Sequence, residues 1–184
     1  MKIFIDQGHN PTHPNAGAEG FGLKEQDLNY KIGILLADLL RSNPDYQVKL
    51  SRPTPQTQLG TSNSTSLAAR VNLANEWGAD YFISLHCNSS FNPSVSGSEC
   101  YVYKENSYGY WMAEQLLIGL NRSTGLPNRG IFTNRSFYVI RNTKMPAVLV
   151  EMGYISNEYD ANLLNTRPEL FAEGLYNGIL NYFA

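Results

Sequence analysis

The apolar run at residues 81–85 constrains the fold more than any other segment of the chain. Its sequence, Tyr-Phe-Ile-Ser-Leu, has apolar residues at both odd and even positions. Both faces of a strand here would therefore be apolar and would have to be covered. Helices supply that cover in α/β proteins. We therefore predict one α/β domain over residues 1–184 with three layers, in which helices flank a twisted, mainly parallel or mixed sheet of about six strands.

The rest of the chain alternates short apolar runs with segments of helical periodicity. We predict strands at residues 2–6, 46–51, 81–85, 99–103, 137–140 and 147–151. We predict helices at residues 25–41, 66–77, 108–121, 157–165 and 168–183. The first helix has a clear pattern, because Leu28, Ile32 and Leu36 recur at the spacing of one helical face.

Composition excludes several partners. The chain has 14 Lys and Arg against 16 Asp and Glu, a net charge of −2, and therefore lacks the basic excess of a nucleic-acid-binding protein. No segment approaches the roughly 20 apolar residues of a membrane-spanning helix. The first residues lack the apolar region and cleavage site of a signal peptide, so we expect either cytosolic synthesis or a chain that begins at a mature boundary. We also expect a monomer.

Chemically useful side chains follow three of the predicted strands. The first strand leads into Gly8 and His9, the strand at 81–85 is followed by His86, and the strand before Glu151 is Ala-Val-Leu-Val. Parallel strands bring their carboxyl ends to one edge of a sheet, where open α/β sheets bind ligands. We therefore expect His9, His86 and Glu151 to lie close together, although each residue alone is also compatible with a structural role.

Glu25 joins this group through the phase of its helix. It lies seven residues before Ile32 and so shares the face that points to the core. A carboxylate on such a face is costly unless it is paired or bound to a metal. The alternative is a glutamate that favours the positive end of the helix dipole and leans into water.

Together these four residues resemble the donor set of a zinc hydrolase. Two imidazoles and one carboxylate, from His9, His86 and Glu25, form a His₂Glu zinc site with one position open. Glu151 would then act as the base and acid near that position. Neighbouring residues of a strand point to opposite faces, so we expect Cys87 to be a small buried residue and not a further ligand.

Eight short blocks spanning nearly the whole chain carry a family resemblance. They are residues 5–9, Gly17-Ala18 with Gly20, Lys24-Glu25, and residues 66–70, 79–88, 97–99, 137–141 and 146–157. In this order they resemble the catalytic domain of the zinc-dependent N-acetylmuramoyl-L-alanine amidases, the amidase type 3 family. The strand-His-x-Asn block and the Pro-Ala-Val-Leu-Val-Glu block are specific in combination.

The resemblance implies one Zn²⁺ per chain, held by His9, Glu25 and His86, with Glu151 as the catalytic glutamate. It implies hydrolysis of the amide between the lactyl group of N-acetylmuramic acid and L-alanine in peptidoglycan. We also expect Arg141 and Asn88 to contact substrate, Arg141 through a carboxylate of the stem peptide. Glu99 is expected to position the metal ligands from behind.

Two other functions remain compatible with the sequence. One is a zinc peptidase that cuts within the stem peptide, and the other is a non-catalytic wall-binding module on the same fold. The family includes autolysins, sporulation and germination enzymes and phage endolysins, so the expected place of action is the cell wall, reached after lysis or release by a holin. Targeting would rest on the groove around the zinc or on a wall-binding module outside this chain.

Overall fold

A six-stranded mixed sheet forms the centre of the computed structural model, which describes residues 1–184. The eight strands are β1 (Lys2–Gln7), β2 (Glu19–Gly20), β3 (Leu23–Lys24), β4 (Gln47–Leu50), β5 (Tyr81–Asn88), β6 (Ser98–Val102), β7 (Asn128–Thr133) and β8 (Ala147–Tyr154). The order in the main sheet is β4-β1-β5-β8-β6-β7, and β2 pairs with β3 in a separate hairpin. Strands β4, β1, β5 and β8 are parallel, whereas β6 is antiparallel to β8 and parallel to β7.

Helices cover both faces of this sheet, which confirms the predicted fold class. They are α1 (Glu25–Arg41), α2 (Asn63–Trp77), α3 (Tyr108–Thr124), α4 (Tyr138–Asn142), α5 (Glu158–Thr166) and α6 (Pro168–Phe183). Helices α1, α3 and α6 share the larger core, and α2 and α4 contribute to the smaller one. None of the helices has the length and apolar character needed to cross a bilayer.

Successive side chains of a strand point to opposite faces of the sheet, and this divides the buried side chains between the larger and the smaller core. Ile83 and Leu85 of β5 belong to the larger core, whereas Phe82 belongs to the smaller one, stacked on Phe4 of β1 at 5.6 Å between ring centroids. The central strand is therefore covered on both faces, as its apolar sequence predicted. Cys87 and Cys100 are both buried free thiols.

Some predicted elements were wrong or incomplete. Residues 137–140, predicted as a strand, belong mainly to α4, because the Asn134 side chain accepts hydrogen bonds from the backbone N–H groups of Ser136 and Phe137 and turns the chain. Strand β7 was missed, since its sequence is rich in turn residues. Strands β5 and β8 extend beyond their predicted ends, to Asn88 and Tyr154, so His86 and Glu151 lie inside strands and not at or just after their last residues.

A buried ion pair joins the end of β1 to α2. The Arg70 Nη1 atom lies 2.6 Å from Asp6 Oδ1, and both side chains are 1% exposed. Ser84 donates a hydrogen bond to the other carboxylate oxygen of Asp6. Burial alone would raise the pKa of Asp6, but the Arg70 guanidinium and the Ser84 hydroxyl outweigh it and hold that pKa below its usual value.

We predict that Asp6→Asn lowers the free energy of unfolding at neutral pH by about 3–5 kcal/mol, because Arg70 then keeps a buried charge without its partner. The depressed pKa of Asp6 means that its contribution is complete above about pH 4 and is lost as the pH falls through the folded-state value. The difference between the two proteins should therefore shrink in acid, as measured by urea unfolding across this pH range.

The matched control is Asp38→Asn, which removes an exposed ion pair with Arg41 at 3.5 Å. It should cost less than about 1 kcal/mol. An Asp6→Asn loss no larger than that of the control would show that the buried pair does not stabilise the fold.

Candidate metal centre

The structure brings His9, Glu25 and His86 together at the carboxyl ends of β1 and β5. The Glu25 Oε1 atom lies 3.1 Å from His9 Nε2 and 3.0 Å from His86 Nδ1. The two imidazole rings are 4.9 Å apart and nearly perpendicular. One candidate ligand atom from each of the three residues lies within 4.8 Å of the others. The group could therefore bind a metal ion.

Glu25 is the first residue of α1 and is held from several directions. It is 4% exposed, and its Oε2 atom accepts a hydrogen bond from the backbone N–H of Ala18 at 2.9 Å. Its Oε1 atom accepts from the Cys87 N–H and the Asn29 amide. Burial alone would raise the pKa of Glu25, but the contacts with His86 and His9 hold that pKa well below its usual value. These contacts therefore favour the ionised form of Glu25.

His9 is positioned by an unusual backbone conformation. Its φ angle is 67°, in the left-handed region that few non-glycine residues adopt. The carbonyl oxygen of His9 accepts hydrogen bonds from Arg70 Nη2 at 2.7 Å and Arg52 Nη1 at 3.4 Å. Its Nδ1 atom is buried without a hydrogen-bond partner. The turn thus directs the imidazole toward Glu25 and leaves one ring nitrogen unpaired.

Two glycines leave room for these side chains. A Cβ atom on Gly8 would lie 2.4 Å from His86 Cε1, and one on Gly17 would lie 2.8 Å from Glu25 Oε2. Both distances are shorter than real Cβ contacts. The side chains of His86 and Glu25 therefore occupy the space that the two glycines leave. Two imidazoles and one carboxylate match the donor set of catalytic zinc sites. The residues present therefore fit a zinc ion.

Glu151 lies beside the two histidines of this group. It pairs with His86 in the register of β5 and β8, and it lines a cavity of 240 Å³ together with His9 and His86. Its Oε2 atom is buried without a hydrogen-bond partner. Burial, followed by the negative charges of Glu25 and Glu99, raises the pKa of Glu151 well above its usual value. A raised pKa makes the ionised carboxylate a stronger base, which suits it to take a proton from water and to return it.

Glu99 lies beside Glu151, its partner in the antiparallel register of β6 and β8. Its carboxylate accepts four side-chain hydrogen bonds, from Asn88, Tyr101, Arg129 and Tyr154, at 2.7–3.0 Å. None of these reaches His9, Glu25 or His86. Glu99 and Asn88 therefore form a network next to Glu151, and neither supports the three clustered residues from behind.

Arg141 is not brought to this cavity. It lies exposed in the short helix α4, with its guanidinium 5.8 Å from the Tyr138 ring centroid. It lines a separate cavity of 330 Å³ that also includes Tyr103 and Lys104. Cys87, in contrast, is placed as predicted: it is buried, on the strand face opposite His86, with its Sγ atom 3.4 Å from Asn29 Oδ1.

Comparison with known families identifies the chain. The family model described as N-acetylmuramoyl-L-alanine amidase matches residues 3–181. The chain belongs to the N-acetylmuramoyl-L-alanine amidase family. Members of this family are generally zinc-dependent, and the group formed by His9, Glu25 and His86 could hold such an ion.

Individual amidases are similar over the full chain. The N-acetylmuramoyl-L-alanine amidase CwlM of Bacillus licheniformis is 35% identical over 191 residues, which cover 100% of this chain and 69% of CwlM. The sporulation-specific N-acetylmuramoyl-L-alanine amidase of Bacillus subtilis is 34% identical, with 100% and 68% covered. The catalytic domain of the amidase CwlV from Bacillus (Paenibacillus) polymyxa var. colistinus superimposes with a TM-score of 0.85 at 32% identity, covering 99% of this chain and 97% of that domain.

Sequence reasoning missed the residues that support the amidase site. Arg70 bonds to the backbone around His9, Asn29 bonds to Glu25, and Arg52 bonds to the carbonyl oxygens of His9 and Gln26. Asn29 carried a signal, since it lies one helical turn after Glu25 on the inward face. Arg70 lies in the block at residues 66–70 that resembles the family, but no local pattern indicated the contacts of either arginine, because those contacts join segments far apart in the sequence.

We predict that Gly17→Ala destabilises the amidase fold by about 1–3 kcal/mol, because the added methyl group would meet Glu25 and His9 in a filled space. Urea unfolding measures the loss. Gly153→Ala is the control, since a Cβ atom there would find only ordinary contacts at 3.4–3.5 Å. Equal stability of the Gly17→Ala protein and the original would contradict the close fit around Glu25.

Proposed function

We propose that residues 1–184 form a catalytic domain that hydrolyses peptidoglycan at the amide between the lactyl group of N-acetylmuramic acid and L-alanine. The observation that carries this proposal is the cluster of two imidazoles and a buried carboxylate, whose two histidines line the same cavity as Glu151. The names of the related amidases from Bacillus support the choice of substrate. The place of action is then the cell wall, with the protein working as a monomer.

In this proposal His9, Glu25 and His86 hold one Zn²⁺. The bound ion would supply a Lewis acid that polarises the amide carbonyl and makes a water molecule more acidic. The protein positions the donors in advance: Arg70 fixes the backbone at His9, and three protein N–H donors hold Glu25. Little reorganisation is then needed when the ion or the substrate enters.

Glu151 moves the proton in this mechanism. Its unpaired Oε2 atom accepts a proton from the attacking water as the C–O bond forms. It then delivers that proton to the nitrogen of L-alanine as the C–N bond breaks, so that the peptide leaves with a free amine. The network around Glu99 and Asn88 positions the strand on which Glu151 lies, and Arg141, in its separate cavity, takes no part.

Metal binding gives the first test. We expect the purified protein to hold about one zinc ion per chain, and His86→Ala to lose it, because a site with two donors left binds zinc far more weakly. Elemental analysis after dialysis measures the content. His13→Ala is the control, since His13 is the third histidine of the chain and lies exposed outside the cluster. A His86→Ala protein that retains a full complement of zinc would overturn the site.

Glu151→Gln gives the second test. It should lower kcat on purified peptidoglycan by roughly 10²–10⁴-fold while leaving the zinc content unchanged, because the amide cannot accept a proton. Glu76→Gln, on the exposed face of α2, should keep full activity. The products should carry new N-terminal L-alanine. A cut within the stem peptide would favour the peptidase, and full lysis by Glu151→Gln would overturn the role of Glu151.

A further inference from the structure

A second and larger cavity lies at the same edge of the sheet as the candidate metal centre. Its volume is 830 Å³, and its walls come from the β2–β3 hairpin, the β5–β6 loop and α5. We call it the hairpin groove. Leu23, one of its lining residues, lies two positions before Glu25, and Asn157 follows the end of β8 by three. Two walls of the hairpin groove are therefore linked by short chain segments to Glu25 and to the strand that carries Glu151.

The walls of the hairpin groove are fixed by hydrogen bonds. The Asn157 side chain donates to the carbonyl oxygen of Pro93 at 2.8 Å, and the backbone N–H of Ser90 donates to Ser156 Oγ at 2.9 Å. The buried Asp160 carboxylate accepts from Ser96 Oγ and the Gly97 N–H. These contacts tie the β5–β6 loop to α5, so the groove exists without a ligand.

The lining combines exposed aromatic rings with uncharged polar groups. Phe21 is 59% exposed and Tyr159 is 64% exposed, so each ring has an open face that a ligand in the groove can contact. The side-chain amides of Asn162 and Asn165 line the same groove and each offers donors and an acceptor. The lining includes one carboxylate, Glu158, and no cationic side chain.

We propose that the hairpin groove binds the glycan strand of peptidoglycan, as a saccharide subsite separate from the metal centre. Sugar rings present apolar C–H faces that stack on aromatic rings, and hydroxyl and acetamido groups that pair with side-chain amides. The stem peptide carries carboxylates, for which a groove with one acid and no base is a poor match. The volume has room for more than one sugar ring.

This inference rests on the proposed function, in which the glycan carries the lactyl acyl group of the scissile amide and the stem peptide leaves as the amine. Sugars held in the hairpin groove would align the polymer so that one lactyl amide reaches Glu151. Binding energy from remote sugars would then offset the cost of orienting the amide that is cleaved. The enzyme should therefore prefer long glycan strands over soluble muramoyl-peptides.

The first experiment measures binding of peptide-free strands of alternating N-acetylglucosamine and N-acetylmuramic acid by calorimetry. Tyr159→Ala and Phe21→Ala should each weaken this binding about tenfold, since each removes one stacking surface. The matched control is Tyr108→Ala. Tyr108 is 61% exposed but lies at the start of α3, near the opposite edge of the sheet, so its loss should change nothing. Both groove substitutions are at exposed positions, and thermal unfolding checks that the variants remain folded.

The second experiment compares kcat/KM on intact sacculi with kcat/KM on a muramoyl-peptide that carries a single sugar. Tyr159→Ala should lower the first value about tenfold more than the second. Unchanged glycan binding in both groove variants, or weaker binding of free stem peptide in place of glycan, would overturn the saccharide subsite. If the original protein binds glycan as described but releases no N-terminal L-alanine, the proposed function fails and the subsite stands.

Discussion

The guanidinium of Arg70 is the group on which the geometry of the site depends. From α2 it donates to Asp6 Oδ1 and to the carbonyl oxygens of Gln7 and His9, and it also reaches Asn10 Oδ1. These acceptors follow one another where the chain leaves β1. This buried cation thus bonds to most of the turn, including the left-handed backbone of His9, which Arg52 also contacts. The cost of that conformation is offset by charge-assisted hydrogen bonds within the fold.

The two central carboxyl groups have opposite environments. Glu25 is surrounded by two imidazoles and three N–H donors, which favour its charged form. The Oε2 atom of Glu151 is buried and unpaired, and the negative charges of Glu25 and Glu99 act on the carboxyl group, which favours its neutral form. One residue is therefore suited to hold a cation and the other to exchange a proton. The separation of two pKa values by environment is a recurring sign of acid–base chemistry.

Local patterns predicted much of this arrangement. Helical periodicity gave the bounds of α1 and the inward position of Glu25, and the apolar run of β5 predicted a sheet covered on both faces. The sheet edge that gathers His9, His86 and Glu151 followed from the ends of parallel strands. Residues 137–140 were wrongly predicted as a strand from their composition, because a turn at Asn134 and packing against β8 favour a helix there. Such long-range packing leaves no local pattern.

The reversed direction of β6 has a consequence for how this fold can vary. Because β6 is antiparallel to β8, the first residues of β6 lie at the edge of the sheet that carries the metal centre. The chain from β5 to β6 therefore never crosses to the far edge, and the sheet sets no minimum length for it. Insertions in this connection would reshape the wall of the hairpin groove while the register of His86 and Glu151 stays intact. Related enzymes could acquire new preferences at this loop without altering their chemistry.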